Sequence, residues 1–122
     1  TADGKAVPLD ILRPTGVLRI NFAASASTDD FDVPEEVTVF SIVSTQDVLM
    51  QFADVNAVAP ILVSGTLVED AIFILGSTIT IVSPKPTKRN FAFRGIDNDG
   101  SVIISYFVDW SGMSLSSQNT RR

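Results

Sequence analysis

The 122-residue sequence contains no cysteine and no histidine. Without thiols there is no disulfide and no thiolate ligand. Without imidazole there is no Ser-His-Asp triad, no Cys-His dyad and no ordinary transition-metal site. Positive charge is scarce too: 9 Lys and Arg stand against 14 Asp and Glu, a formal net charge of −5. Nucleic-acid binding draws on clustered Lys and Arg, so this balance argues against a nucleic-acid partner. One Trp and one Tyr are few for a sugar-stacking platform. No apolar run approaches the ~20 residues of a membrane-spanning helix. Residues 1–7 lack the apolar stretch of a secretory signal, and no membrane partner is expected.

The length suits one domain, large enough to bury roughly two-thirds of its unfolded surface. Hydrophobic residues make up 45% and charged residues 19%. Either the core absorbs nearly all of that apolar surface, or part of it serves a partner; we favour a partner. Residues 1–14 read as an extended N-terminal arm, because Pro8 and Pro14 forbid helix across it while Leu9, Ile11 and Leu12 supply apolar anchors. The arm is either an edge strand packed on its own domain or a strap that crosses to a neighbouring subunit.

Alternation of apolar and polar residues, the signature of a half-buried strand, starts at residues 17–23 with Leu18, Ile20 and Phe22. Residues 24–36 form a loop that becomes acidic. Residues 37–43 and 48–52 read as two strands of a hairpin joined by a turn at 44–47. Shorter strands are predicted at 61–63, 69–75, 78–82 and 89–94, with a proline-containing loop or sheet edge at 83–88. Asp97-Asn98-Asp99-Gly100 is the strongest turn pattern, because these residues tolerate positive φ. Residues 102–110 are nearly all apolar and read as a central strand buried on both faces. Phe22, Phe40, Phe52, Phe91, Phe93 and Phe107 are candidate core residues, and Trp110 a core or interface anchor. About eight short strands with no helical period predict one all-β antiparallel β-sandwich over residues 15–112, jelly-roll-like or immunoglobulin-like. Residues 113–122 form a polar C-terminal tail.

No catalytic constellation emerges. Asp97-x-Asp99-Gly100 resembles the start of a calcium loop, but residues 101–106 offer no carboxylate to complete it, and a hairpin turn is the better reading. The acidic loop with Asp29, Asp30, Asp32, Glu35 and Glu36 could receive a cation or a basic patch, or be simply a solvated loop. Lys85, Lys88, Arg89 and Arg94 are the one basic cluster, open to an acidic loop of another copy or to solvent. No pair of carboxylates is singled out for glycoside hydrolysis. We therefore expect no enzyme activity, no metal and no cofactor.

Residues 37–110 resemble small β-sandwich proteins encoded among the structural genes of tailed bacteriophages. The resemblance is carried by Val48-Leu49-Met50-Gln51-Phe52-Ala53-Asp54, by Val58-Ala59-Pro60, by Phe73-Ile74-Leu75-Gly76-Ser77-Thr78-Ile79-Thr80-Ile81 and by the closing strands from Phe91 to Trp110. It implies a virion component made in the host cytoplasm: a capsid decoration (cement) protein on the capsid surface, or a head–tail or tail accessory protein. The implied partners are the major capsid protein and further copies of the chain, with a trimer as the implied state. Contacts would come from Leu9, Ile11, Leu12 and Arg13 of the arm and from a charged rim of Asp29, Asp30, Asp32, Lys85, Lys88, Arg89, Arg121 and Arg122. A carbohydrate- or receptor-binding sandwich is the alternative, and it requires an exposed aromatic cluster that includes Tyr106 and Trp110.

Overall fold

The structure, a computed structural model, describes residues 12–109. Eight strands follow one another: β1 (Leu12–Phe22), β2 (Phe31–Asp32), β3 (Val39–Ser44), β4 (Val48–Ala53), β5 (Ala71–Ile74), β6 (Ile79–Val82), β7 (Asn90–Gly95) and β8 (Gly100–Asp109). They form two four-stranded antiparallel sheets, β1-β8-β3-β6 and β2-β7-β4-β5. The order follows one rule: β1 pairs with β8, β2 with β7, β3 with β6 and β4 with β5. The chain is thus one long hairpin bent at the β4–β5 loop and rolled up, with β3–β8 and β4–β7 pairings closing the roll. This is the jelly-roll form of the expected β-sandwich.

Period-2 patterning sets which residues meet between the sheets. Ile20 and Phe22 of β1, Phe40 and Ile42 of β3, and Val102, Ile104 and Tyr106 of β8 face Val48 and Met50 of β4, Ile74 of β5 and Phe91 and Phe93 of β7. Phe40, Phe91 and Phe93 are fully buried. The Phe91 ring lies edge-on to Phe93 at 5.6 Å, and the Tyr106 ring edge-on to Phe40 at 5.8 Å. Such tilted contacts suit the ring quadrupoles and add to simple burial. Phe52 packs against this core while only partly buried, and Phe107 is half-buried rather than central.

Several expectations are corrected. Residues 37–43 and 48–52 do not form a hairpin: β3 and β4 belong to opposite sheets, and the turn between them carries the chain across the sandwich. The turn at 97–100 likewise joins β7 to β8 in the other sheet, not two strands of a hairpin. A tight turn signals a reversal, but the turn residues do not say whether the next strand pairs with its predecessor. The crossing at β7–β8 is close enough that a Cβ on Gly95 would run into the Asn98 carbonyl oxygen and come within 3.0 Å of the Phe22 ring.

Strand β8 is central in its sheet but buried on one face only, since Ile103 is 44% exposed. Residues 61–63 are loop, not strand. The first strand begins at Leu12 rather than at 17, so the last residues of the expected arm are β1, carried across a bulge at Pro14 and Gly16. Residues 1–11 of the arm, Trp110 and the polar tail lie outside the described residues.

Candidate assembly surfaces

The outward faces of the two sheets differ. In β1-β8-β3-β6 the inward residues leave Val17, Arg19, Ile103, Ser105, Phe107, Val39, Ser41, Val43, Ile79 and Ile81 pointing out, Phe107 half-buried at one end. The register sets Arg19, Ile103, Val43 and Ile79 side by side in one row across all four strands. The next row runs Val17, Ser105, Ser41, Ile81. Val17, Ile79 and Ile81 are 64–71% exposed, and Val43 and Ile103 about half so. Among the described side chains of this face, Arg19 carries the one charge. Cross-strand neighbours lie within contact distance of one another, so Ile103, Val43, Ile79 and Ile81 make a continuous aliphatic patch. Isolated exposed aliphatics are ordinary on soluble proteins; a contiguous aliphatic patch on a sheet face is not.

The outward face of β2-β7-β4-β5 is covered by the protein itself. Leu49 and Ala92 point outward, yet both are buried. The long β4–β5 loop returns over them. The Ala57 amide donates to Asn90 Oδ1 at 2.7 Å, the Ala59 amide donates to Ser27 Oγ at 2.9 Å, and Arg94 Nε donates to the Ala59 carbonyl at 2.9 Å. Ala57 and Ala59 are buried beneath the loop, while Val55, Val58, Ile61, Leu62, Val63 and Leu67 are exposed on it. No charged residue lies between Asp54 and Glu69. The loop therefore seals one apolar surface and presents another, held in place by hydrogen bonds between its backbone and the side chains of Asn90, Ser27 and Arg94.

The charged residues expected to form a rim are dispersed. Asp30 and Asp32 turn to the Asn90 amide, which donates to both at 2.9 and 2.8 Å, and Asp29 is exposed beside them. Arg89 does not await an acidic loop from another copy: its Nη2 donates to the Pro34 and Val37 carbonyls, both at 2.6 Å, within its own acidic loop. Lys85 pairs with Asp70 at 2.8 Å. That contact raises the Lys85 ammonium above its usual range and lowers the Asp70 carboxyl below its own. Lys88 lies with Lys85, Asp70 and Phe52 around a groove of about 290 Å³, while Arg94 belongs to the loop-covered face. The four basic residues thus do not form one patch. Arg13 is exposed in β1, and Leu12 opens the same strand. Leu9, Ile11, Arg121 and Arg122 lie outside the described residues.

Among the described residues no group of three Asp or Glu comes together as a cation site. Asp99 Oδ1 instead accepts from the Ala24 amide at 3.0 Å and braces the β7–β8 turn. The aliphatic sheet face went unread in the sequence. Ile79, Ile81 and Ile103 look like core residues until pairing shows which side of each strand is enclosed.

The chain matches no protein-family model and no curated protein. Among solved structures, a chain from Bacillus endospore appendages, described as forming "a novel family of disulfide-linked pili", is similar over 85% of this chain and 96% of its own. The TM-score is 0.37 and the identity 9%. That likeness is too slight to bear on function, and the present sequence has no cysteine with which to form a disulfide.

Proposed function

We propose that this protein is a non-catalytic structural subunit that works by binding other protein subunits in a repeated assembly. The observation that carries the reading is the outer face of β1-β8-β3-β6, where Ile79, Ile81 and Ile103 stand exposed with one charge, Arg19, among the described side chains. A face of this kind is costly to leave in water and favourable to bury against another protein. A lattice that repeats one modest contact many times turns it into a large stabilisation. Binding the assembled state alone stabilises that state by mass action.

The specific form we propose is capsid decoration, with the protein on the outer shell bridging capsid subunits. The jelly roll is used in capsid proteins, among others, so the fold is compatible with that role. The carbohydrate-binding alternative is not favoured. Tyr106, on which it relied, is buried, and Phe73 is the one large exposed aromatic among the described residues.

The test combines light scattering of the purified protein over a wide concentration range with co-sedimentation on undecorated capsids, followed by heating of the mixture. Binding that raises the disruption temperature supports decoration. Self-association without capsid binding supports a structural subunit of another assembly. A monomer at every concentration that leaves capsids unbound would overturn the proposal.

A further inference from the structure

Between the β4–β5 loop and the β7–β8 turn lies a pocket of about 330 Å³. That is the small end of the ~300–1,000 Å³ range of ligand sites. Pro60, Ile61 and Leu62 of the loop and Ile96 of the turn give it aliphatic walls, and Arg94 and Asp97 line it with them. The walls are tied to the strands on either side. The Ala59 carbonyl, next to Pro60, accepts from Arg94 Nε at 2.9 Å. The Gly95 amide donates to the Ala23 carbonyl at 2.9 Å, and the Ile96 amide to the Asp47 carbonyl at 3.1 Å.

The two charges in this pocket have no opposite charge beside them. Arg94 is half-buried. Its Nε and Nη1 donate to the Ala59 and Ala24 carbonyls, at 2.9 and 3.4 Å, while Nη2 has no acceptor among the described residues. Asp97 is exposed, and no described residue makes a hydrogen bond or an ion pair with its carboxylate. The groove beside Phe52 differs, because its Lys85 already holds Asp70.

We infer that this pocket binds a free α-amino acid with an aliphatic side chain. Arg94 takes the carboxylate, Asp97 takes the ammonium, and Ile61, Leu62 and Ile96 receive the side chain. The ligand class follows from charge complementarity. A guanidinium presents a planar array of donors suited to a carboxylate. A fatty carboxylate would meet repulsion from Asp97, and a simple amine would meet it from Arg94. A phosphate would bring excess negative charge to a site whose own two charges cancel. A peptide end carries only one of the two charges. The zwitterion of a free amino acid answers both, and burying its side chain against the aliphatic walls adds affinity. The site is open enough to keep binding modest, with a dissociation constant on the order of 1 mM. It lies on the loop side of the sandwich, away from the open face of β1-β8-β3-β6, and does not depend on the assembly role.

The experiment is a titration of isotope-labelled protein with L-leucine, followed by amide chemical shifts. Saturable shifts are expected at Ala24, Ile61, Leu62 and Ile96. Leucinamide, which lacks the carboxylate, and 4-methylpentanoate, which lacks the ammonium, should each bind roughly tenfold or more weakly. Asp97→Asn should weaken L-leucine by a similar factor and tighten 4-methylpentanoate, because the repulsion is gone; damage to the fold would weaken both. Arg94→Gln, checked by circular dichroism, should lose L-leucine binding. Should that variant fail to fold, the analogue series on the wild-type protein still decides.

No saturable shift with L-leucine at concentrations well above the expected constant would overturn the assignment. So would either analogue binding as tightly as L-leucine, or shifts centred on Lys85 and Lys88. None of these results bears on the structural-subunit proposal, which co-sedimentation with capsids decides separately.

Discussion

Tyr106 shows how a single atom can carry an unpaid cost in a well-packed core. Its ring fills space against Phe40, but its hydroxyl is buried with no hydrogen-bond partner among the described residues. Burial disfavours the phenolate and pushes the hydroxyl up to about 12. Because folding raises this pKa above its unfolded value near 10, the folded state holds its proton between about pH 10 and 12 while the unfolded state releases it. The associated stability is intact below pH 10 and is lost as pH rises to about 12, by about 1.4 kcal/mol per pH unit. The chain has one tyrosine, so its absorbance titration should show one transition, displaced upward in the folded protein. Tyr106→Phe should stabilise by about 1 kcal/mol at neutral pH and flatten the loss above pH 10, as measured by denaturant unfolding at pH 8 and pH 11. Arg89 is the opposite case, a charge bound by backbone carbonyls of Pro34 and Val37. One guanidinium nitrogen, Nη2, makes both bonds, and a lysine ammonium on its shorter side chain, with no planar group to aim it, does not reach the same point. Arg89→Lys should cost about 1–3 kcal/mol, with the loss appearing as a lower denaturant midpoint at unchanged slope.

At the scale of elements, the β4–β5 loop is the part that the local sequence describes least well. Its Ile61, Leu62 and Val63 are strong strand formers, and their pattern alone predicts a strand. Proline at 60, the turn closed by the Thr66 amide on the Val63 carbonyl at 3.0 Å, and the tether at Ala57 and Ala59 hold it as loop instead. Asn90 is the hub of that tether, accepting from the Ala57 amide and donating to Asp30 and Asp32. Asn90→Ala leaves a buried amide without a partner and should cost about 1–3 kcal/mol. Hydrogen exchange should accelerate at residues 55–68 well before it does in β7 or β8, because local opening of the loop no longer breaks that bond. Equal acceleration in the loop and the strands would show that the loop is not held as a separate layer.

The whole molecule is held together by contacts between residues far apart in sequence. Strand β1 pairs with β8, and β8 separates β1 from β3 in the middle of its sheet. A chain ending at residue 99 should therefore remain unfolded, with no cooperative thermal transition, because both neighbours of β8 lose a paired edge and the core loses Val102, Ile104 and Tyr106. The same topology requires long loop closures before pairing is rewarded, so refolding of the intact chain should be slow for its size.

The sequence alone determined that the protein is all-β, that it has about eight strands and that Phe22, Phe40, Phe91 and Phe93 are inside, because alternation and turn chemistry are local properties of neighbouring residues. Only the tertiary structure decided which strands pair, and with that which side of each strand is open. The turns at 44–47 and 97–100 look like hairpins in either arrangement, since a reversal has the same local chemistry whether the next strand lies beside its predecessor or across the core. Ile79, Ile81 and Ile103 are chemically indistinguishable from core residues in the sequence. They became a surface because β6, β3 and β8 share an outer face that nothing in the described chain covers, whereas Leu49 and Ala92 on the opposite sheet were enclosed by a loop that reaches them only in three dimensions.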